Sequence, residues 1–124
     1  MRELILKKCK KCGTLIKIIK DCTCEDCGIK CCDEDMVLIK SNDVDAAFEK
    51  HIPTYKVDGD NLIVTVNHVM DSEHYIEWIA FITDKKEEYI YLNPQEATKV
   101  TFKNGKGILY SYCNKHLLWK NEVK

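Results

Sequence analysis

Apolar and polar positions alternate through the second half of the chain. "LIVTVN" (Leu62 to Asn67) has the two-residue period of a strand with one face buried and one in water. "YIEWIAFI" (Tyr75 to Ile82) is rich in aromatic and β-branched residues, and "EEYIYL", "KVTFK" and "GILYSYC" follow, divided by the polar breaks "TDKK", "NPQEAT" and "NGKG". Short strands at this spacing predict a β-sandwich. "VDGDN" (Val57 to Asn61) predicts a hairpin ahead of the first clear strand, and Asn104-Gly105 in "FKNGKG" predicts another. Only "VDAAFEKH" (Val44 to His51) reads as helical, and it is brief. There is no internal repeat and no low-complexity tract.

The first forty residues lack that rhythm and carry a different signal. Cys9, Cys12, Cys22, Cys24, Cys27, Cys31 and Cys32 crowd the first 32 residues, while Cys113 stands alone near the end. The polar "KSNDVD" (Lys40 to Asp45) lies between the two regimes, so the chain divides into residues 1–39 and 40–124. A segment of that size cannot bury a self-sufficient core, and a metal would supply the stability that packing cannot.

Composition decides how those thiols are read. The 124 residues are 31% charged and 45% hydrophobic with net charge -1, which describes a small globular protein. Lysines and acids are interspersed, so there is no basic stripe of the kind that neutralises phosphates, and nucleic acid is excluded as the expected partner. No window approaches the roughly 18 uncharged apolar residues of a membrane span. The start "MRELILKKCKKCG" has too short an apolar stretch and too many lysines for a signal peptide, so a cytoplasmic location is expected. Thiols there stay reduced, and metal ligation is the expected use of the cluster rather than a disulfide framework.

Two ligand patterns overlap in the cluster, and both begin with Cys9-x-x-Cys12 followed by Gly13. One closes with Cys24-x-x-Cys27, a zinc-ribbon spacing with eleven residues between the pairs. The other closes with the vicinal pair Cys31-Cys32. Adjacent side chains of an extended strand point to opposite sides, so that pair reaches one metal only through a turn. Four thiolates fill a tetrahedral site, which leaves three of the seven cysteines for something else.

All four histidines of the chain, His51, His68, His74 and His116, fall at the ends of the predicted strands or in loops. Loops at one end of a sandwich converge, and neutral imidazole is the commonest side-chain metal ligand, so these histidines with Cys113 form a candidate metal centre. Four imidazoles and a thiolate are one ligand too many for tetrahedral zinc. Blue copper needs a weak axial ligand such as methionine after the cysteine, and the last methionine here is Met70. A redox iron with one open position fits the set.

The segments "EKHIP", "NHVMDSEHYIEW" and "CNKHLLW" resemble the three ligand segments of the superoxide reductase family, and "KCKKCG" with "CCDEDM" resembles desulforedoxin. A chain with both parts is similar to the desulfoferrodoxins, the two-iron superoxide reductases, and the likeness covers nearly the whole sequence. The resemblance implies an all-β protein, with a small metal-stabilised desulforedoxin-like domain followed by an immunoglobulin-like antiparallel β-sandwich. It implies His51, His68, His74 and His116 as equatorial ligands and Cys113 as axial thiolate of a catalytic iron. It also implies Cys9, Cys12, Cys31 and Cys32 around a second iron, with zinc there and ligation by Cys24 and Cys27 as the alternatives.

The activity implied is one-electron reduction of superoxide to hydrogen peroxide, protecting an anaerobe or microaerophile from oxygen, with an external electron donor such as rubredoxin. Lys50 would steer superoxide and help deliver a proton, and Glu49 would occupy the open position in the oxidised state. Two other functions are compatible with the sequence: rubredoxin-like electron transfer without turnover, and a binding module held by structural zinc. The apolar "LIKII" (Leu15 to Ile19), with little of its own to bury against, predicts a homodimer, and the family resemblance points the same way. Departures from the family pattern are Val69 where proline is usual, Leu117 and Asp33 where glycine is usual, and the additional Cys22, Cys24 and Cys27. Changed geometry is expected in the loops that carry Val69 and Leu117.

Overall fold

A computed structural model of the chain describes residues 1–25, 28–42 and 48–124, and in these the fold is strands and turns with a single 3-10 turn at Phe48–Lys50. Two compact units form, one from Leu4–Lys40 and one from Met1–Glu3 with Ser41–Lys124. No helix among the described residues is long and apolar enough to cross a membrane.

In the smaller unit, β1 (Leu6–Lys8) pairs antiparallel with β2 (Leu15–Lys17) on one edge and with β5 (Val37–Ile39) on the other. The β1–β2 loop is closed by Cys9 N–H to Thr14 O and Gly13 N–H to Cys9 O, both 2.9 Å. A second hairpin joins β3 (Lys30–Cys31) to β4 (Glu34–Asp35) through Cys32 and Asp33. Both loop residues have positive φ, 54° and 61°, the signature of a two-residue turn that matches strand twist. Buried side chains are few, with Leu4, Leu6, Cys9, Met36 and Ile39 making up the interior. That is the sparse core expected of so short a segment.

The larger unit is a sandwich of two antiparallel sheets. One has the order β10-β7-β6 and the other β12-β11-β8-β9. The first comprises β6 (Thr54–Asp58), β7 (Asn61–Thr65) and β10 (Lys99–Lys103); the second, β8 (Ile76–Ile82), β9 (Glu87–Tyr91), β11 (Gly107–Cys113) and β12 (Leu117–Val123). Leu62 and Val64 of β7 and Val100 and Phe102 of β10 point inward against Ile79 and Phe81 of β8 and Leu109 of β11. Fully burying one such side chain contributes about 1.5–3 kcal/mol, so this layer holds the sheets together. Arg2 to Glu87 (3.0 Å) and Lys120 to Glu3 (2.5 Å) tie the first residues to the sandwich. These partly exposed pairs add little energy but account for the grouping of residues 1–3 with this unit.

The predicted hairpin at "VDGDN" forms: Asp58 faces Asn61, and Gly59 supplies a positive φ of 61° in the two-residue loop. The hairpin expected at Asn104-Gly105 does not form. The chain turns there, but β10 and β11 lie in different sheets, because β11 already has both edges paired, to β8 and to β12. Of the segment Val44 to His51 expected to be helical, Phe48–Lys50 form a 3-10 turn, and Val44 to Ala47 lie outside the described residues. Strand β12 has no counterpart in the sequence pattern, and β6 is announced only by the turn signal at its end.

Candidate metal centres

Each histidine sits off the strands, where the β-ladder does not dictate its direction. His51 follows the 3-10 turn; His68 and His74 lie in the ten-residue connection between β7 and β8; His116 lies in the three-residue turn between β11 and β12. Cys113 is the last residue of β11 and is fully buried. The register of β11 against β8 slips there: Tyr112 faces Trp78, but Cys113 faces Ile76. Such an irregularity re-aims a side chain at the end of a strand.

The structure brings one ligand atom from each of His51, His68, His74, Cys113 and His116 to within 4.8 Å of all the others. His51 Nε2 is 3.0 Å from His116 Nδ1, and Cys113 Sγ is 3.4 Å from His68 Nε2 and 3.9 Å from His116 Nδ1. The rings are held from behind. His68 Nδ1 lies 2.5 Å from the Val69 carbonyl, a contact that places the proton on Nδ1 and frees Nε2 to ligate. His51 stacks on Trp119 with centroids 4.8 Å apart, and Ser111 Oγ donates to its carbonyl at 2.6 Å. Trp119 Nε1 donates to the His116 carbonyl at 3.0 Å.

The electrostatics suit a cation. Burial pushes His68 and His74 below the ordinary imidazole range, and the neighbouring imidazoles add to the effect, so both rings are held neutral. His74 Nε2 is buried without a hydrogen-bond partner among the described residues, a costly arrangement that a metal ion would relieve. Burial raises the Cys113 thiol, and the backbone N–H groups of Lys115 and His116 oppose that rise. Four imidazole nitrogens and one sulfur are a donor set that suits iron.

A second group, Cys9, Cys12, Cys31 and Cys32, meets the same distance limit in the smaller unit. Cys12 Sγ is 3.5 Å from Cys31 Sγ and 3.0 Å from Thr14 Oγ1, and Cys12 N–H donates to Cys9 Sγ at 3.5 Å. Thr14 hydrogen bonds, with help from Cys31 and Cys9, pull the Cys12 thiol down to about 6. Cys32 is pushed up to about 12, chiefly through its hydrogen bond to Cys12. The left-handed turn at Cys32 and Asp33 lets two adjacent cysteines face one point.

Among the described residues the zinc-ribbon pattern is not seen: Cys24 does not join the four-thiol group. Cys22 and Cys24 are disulfide-bonded, against the expectation that every thiol of the cluster stays reduced, whereas Cys9, Cys12, Cys31, Cys32 and Cys113 are free. The alternative ligand Cys27 lies outside the described residues. Glu49 and Lys50 are exposed on the 3-10 turn next to His51 and belong to neither group of ligand atoms.

The desulfoferrodoxin family model matches residues 43–122. The chain belongs to the desulfoferrodoxin family. It is 37% identical to the desulfoferrodoxin of Desulfarculus baarsii over 125 residues, 97% of each chain, and 34% identical to that of Clostridium acetobutylicum over 98% of each. The crystal structure of the superoxide reductase from Treponema pallidum is similar to it with a TM-score of 0.74 and 30% identity, covering 97% of this chain and 99% of that one. Within a desulfoferrodoxin, the His4Cys group and the separate four-cysteine group are consistent with two iron centres.

Leu117, directly after the ligand candidate His116, adopts φ 64°, a left-handed conformation that glycine takes without cost and that costs a leucine about 1–2 kcal/mol of backbone strain. Leu117→Gly is accordingly expected to change unfolding free energy by less than about 1 kcal/mol, although it deletes a half-buried side chain, because release of the strain offsets the lost burial. Denaturant unfolding measures it, and a loss above about 2 kcal/mol would show that the turn is not strained.

Proposed function

We propose that this member of the desulfoferrodoxin family is a superoxide reductase, converting superoxide and two protons to hydrogen peroxide by a one-electron step. The observation that carries the reading is the convergence of His51, His68, His74, His116 and Cys113 on one point. Ferrous iron held by these residues supplies the electron and a cationic point of attraction for the substrate anion. Cys113, desolvated and held by two backbone N–H groups, would donate charge to the metal, and the partly buried imidazoles of His68 and His74, shifted toward the neutral form, would hold it without cancelling its charge. Lys50, exposed beside His51, adds a positive charge that draws superoxide in and supplies a nearby proton donor. Glu49, exposed on the same 3-10 turn, would offer a carboxylate ligand to the oxidised iron.

The Cys9, Cys12, Cys31 and Cys32 centre binds the second iron and stabilises the smaller unit, and a small donor of the rubredoxin type returns the electron spent. The protein works as a cytoplasmic homodimer, an assignment supported by the apolar exposure at Ile19 and at Val37 and Leu38 of β5. Pulse radiolysis of the reduced, iron-loaded protein tests the activity. The expected result is rapid second-order loss of superoxide, with one peroxide formed per superoxide and no oxygen released. Release of oxygen, or no reaction faster than spontaneous dismutation, would overturn it.

The two centres are expected to act independently. Cys9→Ser should remove the four-cysteine metal and lower the thermal midpoint of the smaller unit, while single-turnover reduction of superoxide by the prereduced protein stays within about twofold of the parent. Loss of that reaction with iron still bound at the His4Cys centre would show that electrons must pass through the cysteine centre.

A further inference from the structure

Three of the four histidine segments have a visible device that holds them. His68 has the Val69 carbonyl on its ring; His51 has Trp119 beneath its ring and Ser111 on its carbonyl; His116 has Trp119 Nε1 on its carbonyl. The ring of His74 presents a buried Nε2 with no partner among the described residues, so its aim depends on the backbone that carries it. That backbone is a turn, closed by Asp71 N–H to His74 O at 3.0 Å, in a connection without strand pairing.

We infer that Asn114 is the positioning residue for His74, clamping the His74 segment to the turn that carries Cys113 and His116. Its Oδ1 accepts the Tyr75 N–H at 3.0 Å, and its Nδ2 donates to the Glu73 carbonyl at 2.9 Å. Its own N–H donates to the Tyr75 carbonyl at 3.2 Å. The two side-chain bonds thus grip the backbone immediately before and immediately after His74. Asn114 is itself the neighbour of Cys113, so one residue fixes the separation between two ligand segments that are 39 residues apart in sequence, counted from Tyr75 to Asn114. The chemistry demands a primary amide. One atom must accept and another must donate at the same reach, which aspartate, leucine and serine cannot do.

This inference rests on the His4Cys centre proposed above, and its test separates the two. The full chain is loaded with iron as wild type, Asn114→Ala and Asn114→Asp, then challenged with a chelator while the one-thiolate and four-thiolate absorptions are followed separately. Asn114→Asp preserves shape and the bond to Tyr75 but turns an acceptor toward the Glu73 carbonyl. Partners behind the ligands are typically worth 10–100-fold in metal affinity, so both variants are expected to hold iron at the His4Cys centre at least about tenfold more weakly. The thiolate-to-iron band should shift and the ferric electron-resonance spectrum broaden, with the four-thiolate centre unchanged. Wild-type affinity and spectrum in both variants would overturn the inference. Equal loss from both centres would also overturn it, because that is the mark of general unfolding. A wild-type chain that takes up no iron at the histidines would instead refute the site, and the inference would fall with it.

Discussion

Replacing Cys113 with serine is expected to abolish the visible thiolate-to-iron band and to slow superoxide reduction by at least about a hundredfold, with the sandwich still folded. The figure takes the upper end of the roughly 10–100-fold losses typical when a group behind a ligand is changed, since removing the ligand itself costs more. Serine offers a hard, weakly donating oxygen in place of a soft thiolate. It also differs from cysteine by one atom, so the site, fully buried between β11 and the following turn, loses little packing. Stopped-flow mixing or pulse radiolysis reads the rate, and absorption reads the band. A variant that kept both would show that Cys113 is only a buried neighbour of His68 and His116, from which its sulfur lies 3.4 and 3.9 Å.

Gly107→Ala is expected to damage the sandwich severely although it adds a single methyl group. A Cβ at Gly107 would sit 2.3 Å from the Ile82 carbonyl oxygen and 2.9 Å from Phe81 Cε1. The nearer atom is backbone of the adjacent strand β8, so no rotamer change relieves the clash and the strands must separate. Overpacking of this kind costs about 3 kcal/mol, which for a domain of this size lowers the melting midpoint by about 10 °C or more. Because β11 runs from Gly107 to Cys113, loosening its start against β8 should also broaden the spectrum of the His4Cys centre. Calorimetry of the full chain decides the matter, and an unchanged midpoint would show that the two strands have room to move apart.

Several of the strands were legible because their environment has two sides. In β7 and β10, buried and exposed positions alternate along the strand, and the sequence shows the same period. Strand β6 is exposed throughout, so no buried face imprints a pattern on "TYKVD". Strand β12 packs Leu118 and Trp119 in succession and then runs partly exposed to Val123, which breaks the two-residue period. The Asn104-Gly105 turn was readable as a turn, but not as a crossing between sheets, because a local signal carries no information about which strand edges are already filled.

The sequence by itself determined the chemistry: which side chains can ligate, that four histidines and a lone cysteine sit at strand ends, and that a cysteine-rich segment too small for its own core precedes a β-sandwich. Donor identity and strand period are local properties, and they survive in one dimension. Only the tertiary structure decided which thiols meet, bringing Cys31 and Cys32 to Cys9 and Cys12 through two consecutive left-handed residues while Cys22 and Cys24 are bonded elsewhere. It alone decided that Leu117 accepts a conformation suited to glycine, and that Asn114 holds the segment around His74. A metal centre requires five atoms from three separate segments within a few ångströms. That convergence is fixed by sheet pairing and by a bulge at Cys113, and pairing is a relation between strands that no single stretch of sequence contains.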